Sequence, residues 1–324
     1  MPIVVVTRQL PGTVLDPMRA VAEVRYWDEV VPIPRPILLE WVAGAHGLYC
    51  MLTERIDAEL LDAAGPALRV VSTMSVGYDH VDVAACTARH VWVGNTPGVL
   101  TDTTADLTVG LILATARRIT EAAEAVKAGE WTTWRPNWLT GADLHGSTVG
   151  LVGLGRIGLA TARRLMGFDC RILYTGPRPK PAEAAQVNAQ FVDWPTFLAE
   201  SDFISIHCPL NEHTRHLFGP DAFARMQPTA ILVNTSRGPV VDPAALFTAL
   251  TTGQIAAAGL DVTEPEPLPV DHPLLSLPNC VILPHIGSAS TATRLKMASM
   301  AGHNLVAGVL GEALPFCVNG ERNL

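Results

Sequence analysis

Three polar residues follow apolar, strand-like runs and have the chemistry needed to reduce a small keto acid. Arg237 in "VNTSRGPVVD" could hold a carboxylate through two parallel hydrogen bonds, because its guanidinium group is a planar fork. His285 in "VILPHIGS" could donate a proton, since histidine titrates near neutrality without perturbation. Glu266 in "LDVTEPEPLP" could keep that histidine charged. The alternative is that none of the three is catalytic: Arg237 would be a surface charge, His285 a loop histidine bonded to backbone, and Glu266 a solvated acid.

A glycine motif predicts a site for a dinucleotide. In "VGLVGLGRIGLATARRLM", residues 149 to 166, Gly153, Gly155 and Gly158 form a G-x-G-x-x-G turn between an apolar strand and an amphipathic helix. Such glycines allow a tight turn, a close approach of backbone N–H groups to a pyrophosphate and close packing of the helix. The helix N-terminus adds partial positive charge. The less favoured alternative is a glycine-rich turn without a ligand.

The end of the next strand indicates which dinucleotide is bound. An NAD-binding unit needs an acid there to hold the ribose hydroxyls. After "RILY" the chain instead offers Thr175 and Gly176, then Arg178 and Lys180, while Asp169 precedes the strand. The two cations could receive the 2'-phosphate of NADP, so we predict NADPH as the preferred cofactor, with NADH weaker. Two solvated cations in a proline-rich turn are the alternative.

The elements that must position these residues follow a parallel α/β pattern. Short β-branched runs such as "IVVV" and "AILVNT" alternate with alanine- and leucine-rich stretches. The pattern breaks at "GEWTTWRPNWLTG" and resumes with "STVGLVGLG", and a helix is predicted over residues 290–310. The apolar stretch "LTVGLILATA" is too short to span a bilayer and reads as a buried core helix.

Composition limits the partners and the compartment. The 324 residues are 48% hydrophobic, which suffices for two cored domains. A formal charge of −8 gives no global attraction to nucleic acid or to an anionic membrane, so neither partner is expected. Six dispersed cysteines and an N-terminus that reads as a strand favour a cytoplasmic location. His213 and His216 have no evident third ligand, so no metal site is predicted.

Several stretches together resemble one family over nearly the whole chain. They are "VAGAHGLYCML", "STMSVGYDH", "VLTDTTADL", "STVGLVGLGRIG", "NTSRG", "AAAGLDV" and "NCVILPHIGSA". In this order they resemble the D-isomer-specific 2-hydroxyacid dehydrogenases. "STMSVG" and "WTTWRPNWL" are similar to the glyoxylate/hydroxypyruvate reductase group of that family.

The resemblance implies an architecture of two doubly wound parallel-sheet α/β domains. A Rossmann dinucleotide-binding domain over residues 98–286 would interrupt a flavodoxin-like substrate domain made of residues 1–97 and 287–324. It also implies a homodimer and an NADPH-dependent reduction of glyoxylate to glycolate and of hydroxypyruvate to D-glycerate.

The resemblance also implies roles for individual residues. Arg237 would hold the substrate carboxylate together with the backbone N–H groups of Val76 and Gly77, His285 would donate the proton, and Glu266 would be its partner. Trp134 would reach toward the substrate of the partner subunit, although packing at a dimer contact explains it equally well. The expected cofactor contacts, besides the glycines and the two cations, are Arg156, Ile157, Thr235, Asp261 and Gly287.

The resemblance leaves some points open. Glu264 is a second acid beside Glu266, and only the family spacing favours Glu266, which stands 29 residues after Arg237 and 19 before His285. Pro177 occupies a place where NADP-dependent relatives tend to carry a cation, so either Arg178 or Lys180 could meet the phosphate. Pro209 stands where a hydroxyl residue can occur in relatives, so a side-chain contact at that place would be lost. Another D-2-hydroxyacid dehydrogenase, of the phosphoglycerate dehydrogenase type, and a corepressor-like dinucleotide sensor are the competing functions.

Overall fold

The chain folds as two units, each built around its own parallel sheet. The computed structural model describes residues 1–320. One unit contains Met1–Leu100 together with the chain from Ala289 onward, and the other is Thr101–Ser288. The predicted limits at residues 97 and 287 lie close to these positions. The assignment of one domain to substrate and the other to cofactor stays a prediction.

The strands lie along the chain as short, mostly buried runs. They are β1 (Ile3–Val6), β2 (Glu23–Tyr26), β3 (Gly47–Cys50), β4 (Val70–Thr73), β5 (Trp92–Gly94), β6 (Thr148–Val152), β7 (Arg171–Thr175), β8 (Gln190–Phe191), β9 (Phe203–Ile206), β10 (Ile231–Asn234), β11 (Ala257–Leu260) and β12 (Cys280–Ile282).

The α-helices alternate with these strands, as the sequence pattern predicts. They are α1 (Asp16–Val21), α2 (Arg35–Val42), α3 (Ala58–Ala64), α4 (Val83–Ala88), α5 (Thr101–Ala116), α6 (Ile119–Lys127), α7 (Arg156–Leu165), α8 (Pro181–Ala185), α9 (Trp194–Glu200), α10 (Pro220–Phe223), α11 (Pro243–Thr252) and α12 (Thr291–Leu310).

The first unit has a five-stranded parallel sheet in the order β2-β1-β3-β4-β5. This is the flavodoxin-like order. Helix α12 covers it, and the predicted helix over residues 290–310 is confirmed. The helix begins after Ser290, whose hydroxyl accepts a hydrogen bond from the Thr293 N–H, and it ends before Gly311. A Cβ at Gly308 would lie 2.5 Å from Val70, so glycine lets α12 approach β4 closely.

The second unit has a seven-stranded parallel sheet in the order β12-β11-β10-β9-β6-β7-β8. Counted from β6, this is the Rossmann order with one extra strand, and the predicted fold class is confirmed. The strand order reverses between β6 and β9. Ligands of open α/β sheets bind at such a point, beside the carboxyl ends of the strands.

Helix α5 is the core helix predicted from "LTVGLILATA". Its buried side chains include Leu111 and Ile112, and a Cβ on Gly259 of β11 would lie 2.9 Å from Leu111. Within residues 1–320 none of the helices combines the length and the apolar character that crossing a bilayer requires.

Three edge strands were not predicted. β2 is half-exposed, β5 has three residues, and β8 consists of two exposed residues. Short, partly exposed strands carry too few apolar positions for an alternation to stand out.

Candidate active site

The residues with catalytic potential follow three neighbouring strands of the second unit. Asn234 of β10 pairs with Leu260 of β11, and Leu260 pairs with Ile282 of β12, so the three strands end level. Arg237 and His285 come three residues after β10 and β12, and Asp261 directly follows β11. Parallel register therefore brings distant parts of the sequence to one edge of the sheet.

His285 and Glu266 form a hydrogen-bonded pair. The His285 Nδ1 and the Glu266 Oε1 are 2.5 Å apart, and both side chains are partly exposed. A protonated imidazole next to a carboxylate makes a charge-assisted bond, which is the geometry of an acid catalyst and its partner. His285 also has a positive φ of 55°, a backbone conformation that is uncommon outside glycine and is enriched at functional sites.

Asp261 fixes the segment that carries the histidine. Asp261 is 1% exposed, and its carboxylate accepts hydrogen bonds of 2.7 Å from the N–H groups of Ile286 and Gly287. Its carbonyl oxygen accepts from the His285 N–H at 2.9 Å. Burial raises the pKa of Asp261, and the two N–H donors offset part of that rise. A Cβ at Gly287 would lie 3.1 Å from the Asp261 carboxylate, so this approach favours glycine.

Arg237 lies in a turn held by its neighbours. The Asn234 side-chain amide donates to the Arg237 carbonyl at 2.8 Å, and the Arg237 Nη1 donates to the Ser236 carbonyl at 2.8 Å. The side chain is half-buried. The adjacent Thr235 is buried and shares a 2.8 Å hydroxyl contact with Thr108 of α5.

The structure gives different partners to Glu264 and Glu266, which the sequence alone could not distinguish as partners of His285. Glu264 accepts hydrogen bonds from Arg215 and from the His216 Nε2, whereas Glu266 contacts His285. Of the two acids, Glu266 is therefore the one in hydrogen-bond contact with the histidine. Its catalytic role stays a prediction.

The glycine turn, residues 153–158, is set by backbone packing. Gly153 has a φ of 96°, and its N–H donates to the Thr175 carbonyl at 2.9 Å. A Cβ at Gly158 would overlap the Gly153 carbonyl. A Cβ at Gly155 would meet no atom within 4 Å, so the space beside it is open. That open space at the start of α7 fits the pyrophosphate of a dinucleotide.

The cation turn, residues 176–180, follows β7 level with the glycine turn. Val152 of β6 pairs with Thr175 of β7, so both turns begin at the same edge of the sheet. Arg178 is exposed, and Lys180 is half-buried. Within residues 1–320 neither side chain has an ion pair or a hydrogen bond. The Lys180 N–H donates to the Tyr174 hydroxyl at 2.9 Å, which closes the turn.

Val76 and Gly77 belong to the first unit and follow β4. The Ser75 hydroxyl donates to the Gly77 carbonyl at 2.6 Å, and the Asn95 amide donates to the Val76 carbonyl at 2.9 Å. These bonds fix the local backbone. The binding of a substrate carboxylate by these two N–H groups stays a prediction.

The tryptophan-rich segment exposes its aromatic side chains. Trp134 is 80% exposed and Trp131 64% exposed, and the Arg135 guanidinium lies 3.6 Å from the ring centroid of Trp138. A reach of Trp134 toward a partner subunit stays a prediction. Over the described part of the chain, no cluster of three or more candidate ligands could hold a metal ion.

Sequence reasoning missed several contacts around these residues. Arg215 and His216 lie in an exposed loop and were given no role, yet both side chains bind Glu264. It gave His207 no role either. The His207 carbonyl would lie 3.2 Å from a Cβ on Gly153, so the His207 backbone lies close beside the glycine turn. Burial lowers the pKa of His207 to about 4. No local motif marks these residues, because their partners lie far away in sequence.

Comparison with known proteins gives one consistent result. Residues 109–287 match the family model described as D-isomer specific 2-hydroxyacid dehydrogenase, NAD binding domain. The chain is 54% identical to a glyoxylate reductase/hydroxypyruvate reductase of Homo sapiens over 315 residues, which is 96% of each chain. It is 48% identical to a glyoxylate reductase of Thermofilum pendens over 327 residues, 99% of this chain and 95% of the relative.

A solved structure extends the likeness to three dimensions. The NADPH-dependent glyoxylate/hydroxypyruvate reductase of Sinorhizobium meliloti, in complex with NADP and malonate, is 33% identical with a TM-score of 0.86. The alignment covers 98% of this chain and 96% of that one.

Proposed function

The chain belongs to the D-isomer specific 2-hydroxyacid dehydrogenase family, and from that premise we propose that it reduces glyoxylate to glycolate and hydroxypyruvate to D-glycerate with NADPH. The observation that carries the proposal is the 2.5 Å contact between His285 and Glu266 at the carboxyl edge of the sheet. The names of the relatives support the two substrates.

The proposed chemistry divides between three side chains. Arg237 binds the substrate carboxylate through its planar fork and orients the neighbouring carbonyl group. His285 donates its proton to the carbonyl oxygen as that oxygen gains negative charge, and Glu266 stabilises the charged imidazole before the transfer. NADPH, when bound, supplies the hydride for the carbonyl carbon. Asp261 keeps the His285 backbone in place through its hydrogen bonds.

The cofactor would be held by backbone and side chains of the second unit. We assign the pyrophosphate to Gly153, Gly155, Gly158 and the first N–H groups of α7 at Arg156 and Ile157. The 2'-phosphate would meet Arg178 or Lys180, which lack protein partners within residues 1–320 and so remain available to a ligand. Thr235, Asp261 and Gly287 would line the nicotinamide end. The NADP complex of the Sinorhizobium relative supports the proposed preference for NADPH over NADH.

We further propose a homodimer that works in the cytoplasm. The proposal rests on exposed apolar side chains of the kind that subunit contacts cover, namely Trp131, Trp134 and, on α6, Ile119 and Val126. Analytical ultracentrifugation would test this, since a monomer at micromolar concentration contradicts it.

Loss of NADPH absorbance tests the activity. Hydroxypyruvate, glyoxylate and pyruvate would be supplied in parallel, and the first two are expected to be turned over fastest. No turnover of any of the three substrates would reject the reductase assignment and favour a dinucleotide sensor.

The Arg237→Lys variant tests the carboxylate site. An ammonium group keeps the charge but cannot form two parallel hydrogen bonds, so KM for hydroxypyruvate should rise roughly 10- to 150-fold. Arg225→Lys is the matched control, because Arg225 is exposed and precedes β10 at the other edge of the sheet. An unchanged KM in Arg237→Lys removes this residue from the site.

A further inference from the structure

The loop that carries Glu266 is anchored at more than one point. This acid loop, residues 263–268, follows β11, and the Thr263 hydroxyl donates to the Pro265 carbonyl at 2.8 Å. The Thr263 N–H lies 3.4 Å from the Glu266 Oε2. Within this loop Glu266 is the residue that is hydrogen-bonded to His285, so the position of the loop decides whether this pair forms.

Glu264 anchors the outer side of the acid loop. Its carboxylate is the acceptor for two donors, the Arg215 guanidinium and the His216 Nε2, the latter at 2.7 Å. Glu264 is the least exposed of the three, with 24% of its side chain accessible. The two donors occupy both oxygens of the Glu264 carboxylate, whereas Glu266 is the acid that contacts His285.

The segment that carries Arg215 and His216 is fixed to the turn after Arg237. The His216 N–H donates to the Pro239 carbonyl at 2.8 Å, and the Phe218 N–H donates to the Val240 carbonyl at 3.1 Å. Phe218 is fully buried. Arg215 and His216 are exposed, but these backbone hydrogen bonds tie their segment to the turn after Arg237.

The acid loop also touches that turn directly. A Cβ at Gly238 would overlap the Thr263 carbonyl, so the backbone next to Arg237 is in contact with the backbone next to Glu264. The void bordered by Gly238, Thr263 and Glu264 measures only about 10 Å³, so little space remains between the loop and the turn. The loop and the Arg237 turn form one packed body.

We propose that Glu264 is a positioning residue, which Arg215 and His216 hold so that Glu266 meets His285. This rests on the proposed function, and Glu264 touches neither substrate nor cofactor in it. Without its two partners the loop loses its outer anchor, and a second uncompensated carboxylate lies two residues from Glu266. The expected defect is in proton donation rather than in cofactor binding.

Kinetics of Glu264→Ala give the first test. We expect kcat for hydroxypyruvate to fall about tenfold, because small displacements of a catalytic group are costly, while KM for NADPH stays within about twofold. Arg215→Ala should share the defect, and Arg215→Lys should recover most of the activity, since a lysine can still pair with Glu264.

Glu212→Gln is the matched control. Glu212 lies in the same segment and within 3.5 Å of the exposed His213, but it has no contact with the acid loop. The substitution removes the charge of one carboxylate that lies beside a histidine, and it should change neither kcat nor KM. If Glu212→Gln lowers kcat as much as Glu264→Ala does, general charge explains the effect and the proposal fails.

A spectroscopic measurement separates this proposal from the reductase assignment. The proton in the short His285–Glu266 hydrogen bond should give a downfield imidazole N–H resonance in proton NMR of the substrate-free protein. We expect the resonance in the parent and in Glu212→Gln, and its loss or broadening in Glu264→Ala and in Glu266→Gln. Circular dichroism checks that the variants fold.

The outcomes are distinct. A resonance that persists in Glu264→Ala, or is missing from the parent, overturns the positioning role, whatever the kinetics show. A resonance lost in Glu264→Ala while the parent reduces neither glyoxylate nor hydroxypyruvate supports the positioning role and rejects the proposed function.

Discussion

The glycine turn and the cation turn begin at the same edge of one sheet, yet different interactions fix their conformations. Packing restricts the glycine turn, since Gly158 has no room for a side chain and Gly153 has a positive φ. The cation turn carries two charged side chains without protein partners in residues 1–320, and one backbone hydrogen bond to Tyr174 closes it.

The contrast matches the two parts of a dinucleotide that these turns would meet. Every NAD or NADP molecule has a pyrophosphate, so a rigid backbone can recognise it without discrimination. Only NADP has a 2'-phosphate, and side chains can be exchanged there without disturbing the fold. We therefore expect changes in the glycine turn to affect both cofactors and changes in the cation turn to affect one.

The largest expected effect comes from Gly158→Ala. The added methyl group overlaps the Gly153 carbonyl, so the turn must shift, and Kd should rise by more than about 100-fold for both NADPH and NADH. Fluorescence titration of both cofactors measures this. Gly167→Ala is the control, because a Cβ there has open space. Selective loss of NADPH alone would contradict the comparison.

Replacement of both Arg178 and Lys180 by Ala should affect NADPH selectively. Each charged hydrogen bond lost is worth about 1.5–3 kcal/mol, and partial solvation reduces this, so KM for NADPH should rise roughly ten- to a hundredfold. KM for NADH should barely change. Single variants identify the cation that reaches the phosphate.

Lys127→Ala with Arg225→Ala removes the same charge elsewhere and serves as the control for the double variant. Equal use of NADH and NADPH by the parent protein would show that the cation turn has no role in cofactor choice.

His207 gives a pH-dependent effect that the cation turn lacks. Burial lowers its pKa to about 4, from an ordinary value of about 6.5. As pH falls below about 6.5, His207 becomes protonated in the unfolded chain, whereas in the folded chain it stays neutral until pH approaches 4. The free energy of unfolding therefore decreases as pH falls from about 6.5 to about 4. At pH 5 the decrease is about 1–2 kcal/mol.

Urea unfolding at pH 7 and pH 5 measures this loss. His207→Gln should reduce the difference between the two pH values by that amount, because glutamine does not titrate. His213→Gln, at a side chain that is 87% exposed, should leave the difference as in the parent. Identical behaviour of the two variants would mean that the His207 ring does not stay neutral in the folded protein at pH 5.

The smallest expected effect is that of Tyr174→Phe. Loss of the hydroxyl removes the acceptor for the Lys180 N–H and loosens the cation turn, while the aromatic contact with Phe191 remains. One neutral hydrogen bond is worth about 0.5–1.5 kcal/mol, so KM for NADPH should rise about threefold and KM for NADH should stay constant. A rise for both cofactors would indicate that Tyr174 supports the whole sheet edge.

Much of the fold could be predicted because its signals are local. The apolar runs that became β1, β7, β10 and β11 are β-branched or bounded by turn residues, and their buried positions follow from that composition. The exposed edge strands β2 and β8 escaped prediction, because partial burial leaves little alternation to detect.

The candidate site could be predicted only in part. The order of residues and strand ends located Arg237 and His285 at one sheet edge, since parallel strands share their carboxyl ends. Thr108 was missed, because a threonine inside a helix gives no local sign that its hydroxyl lies 2.8 Å from Thr235.

The sequence by itself determined the glycine spacing, the cations after β7 and the presence of two acids in the loop after β11. Only the tertiary structure decided that Glu266 meets His285 while Glu264 is held by Arg215 and His216. The two acids are identical in type and two residues apart, so no propensity distinguishes them. Their partners lie 19 and 49 residues away, and strand register and loop packing, rather than local composition, bring those partners into reach.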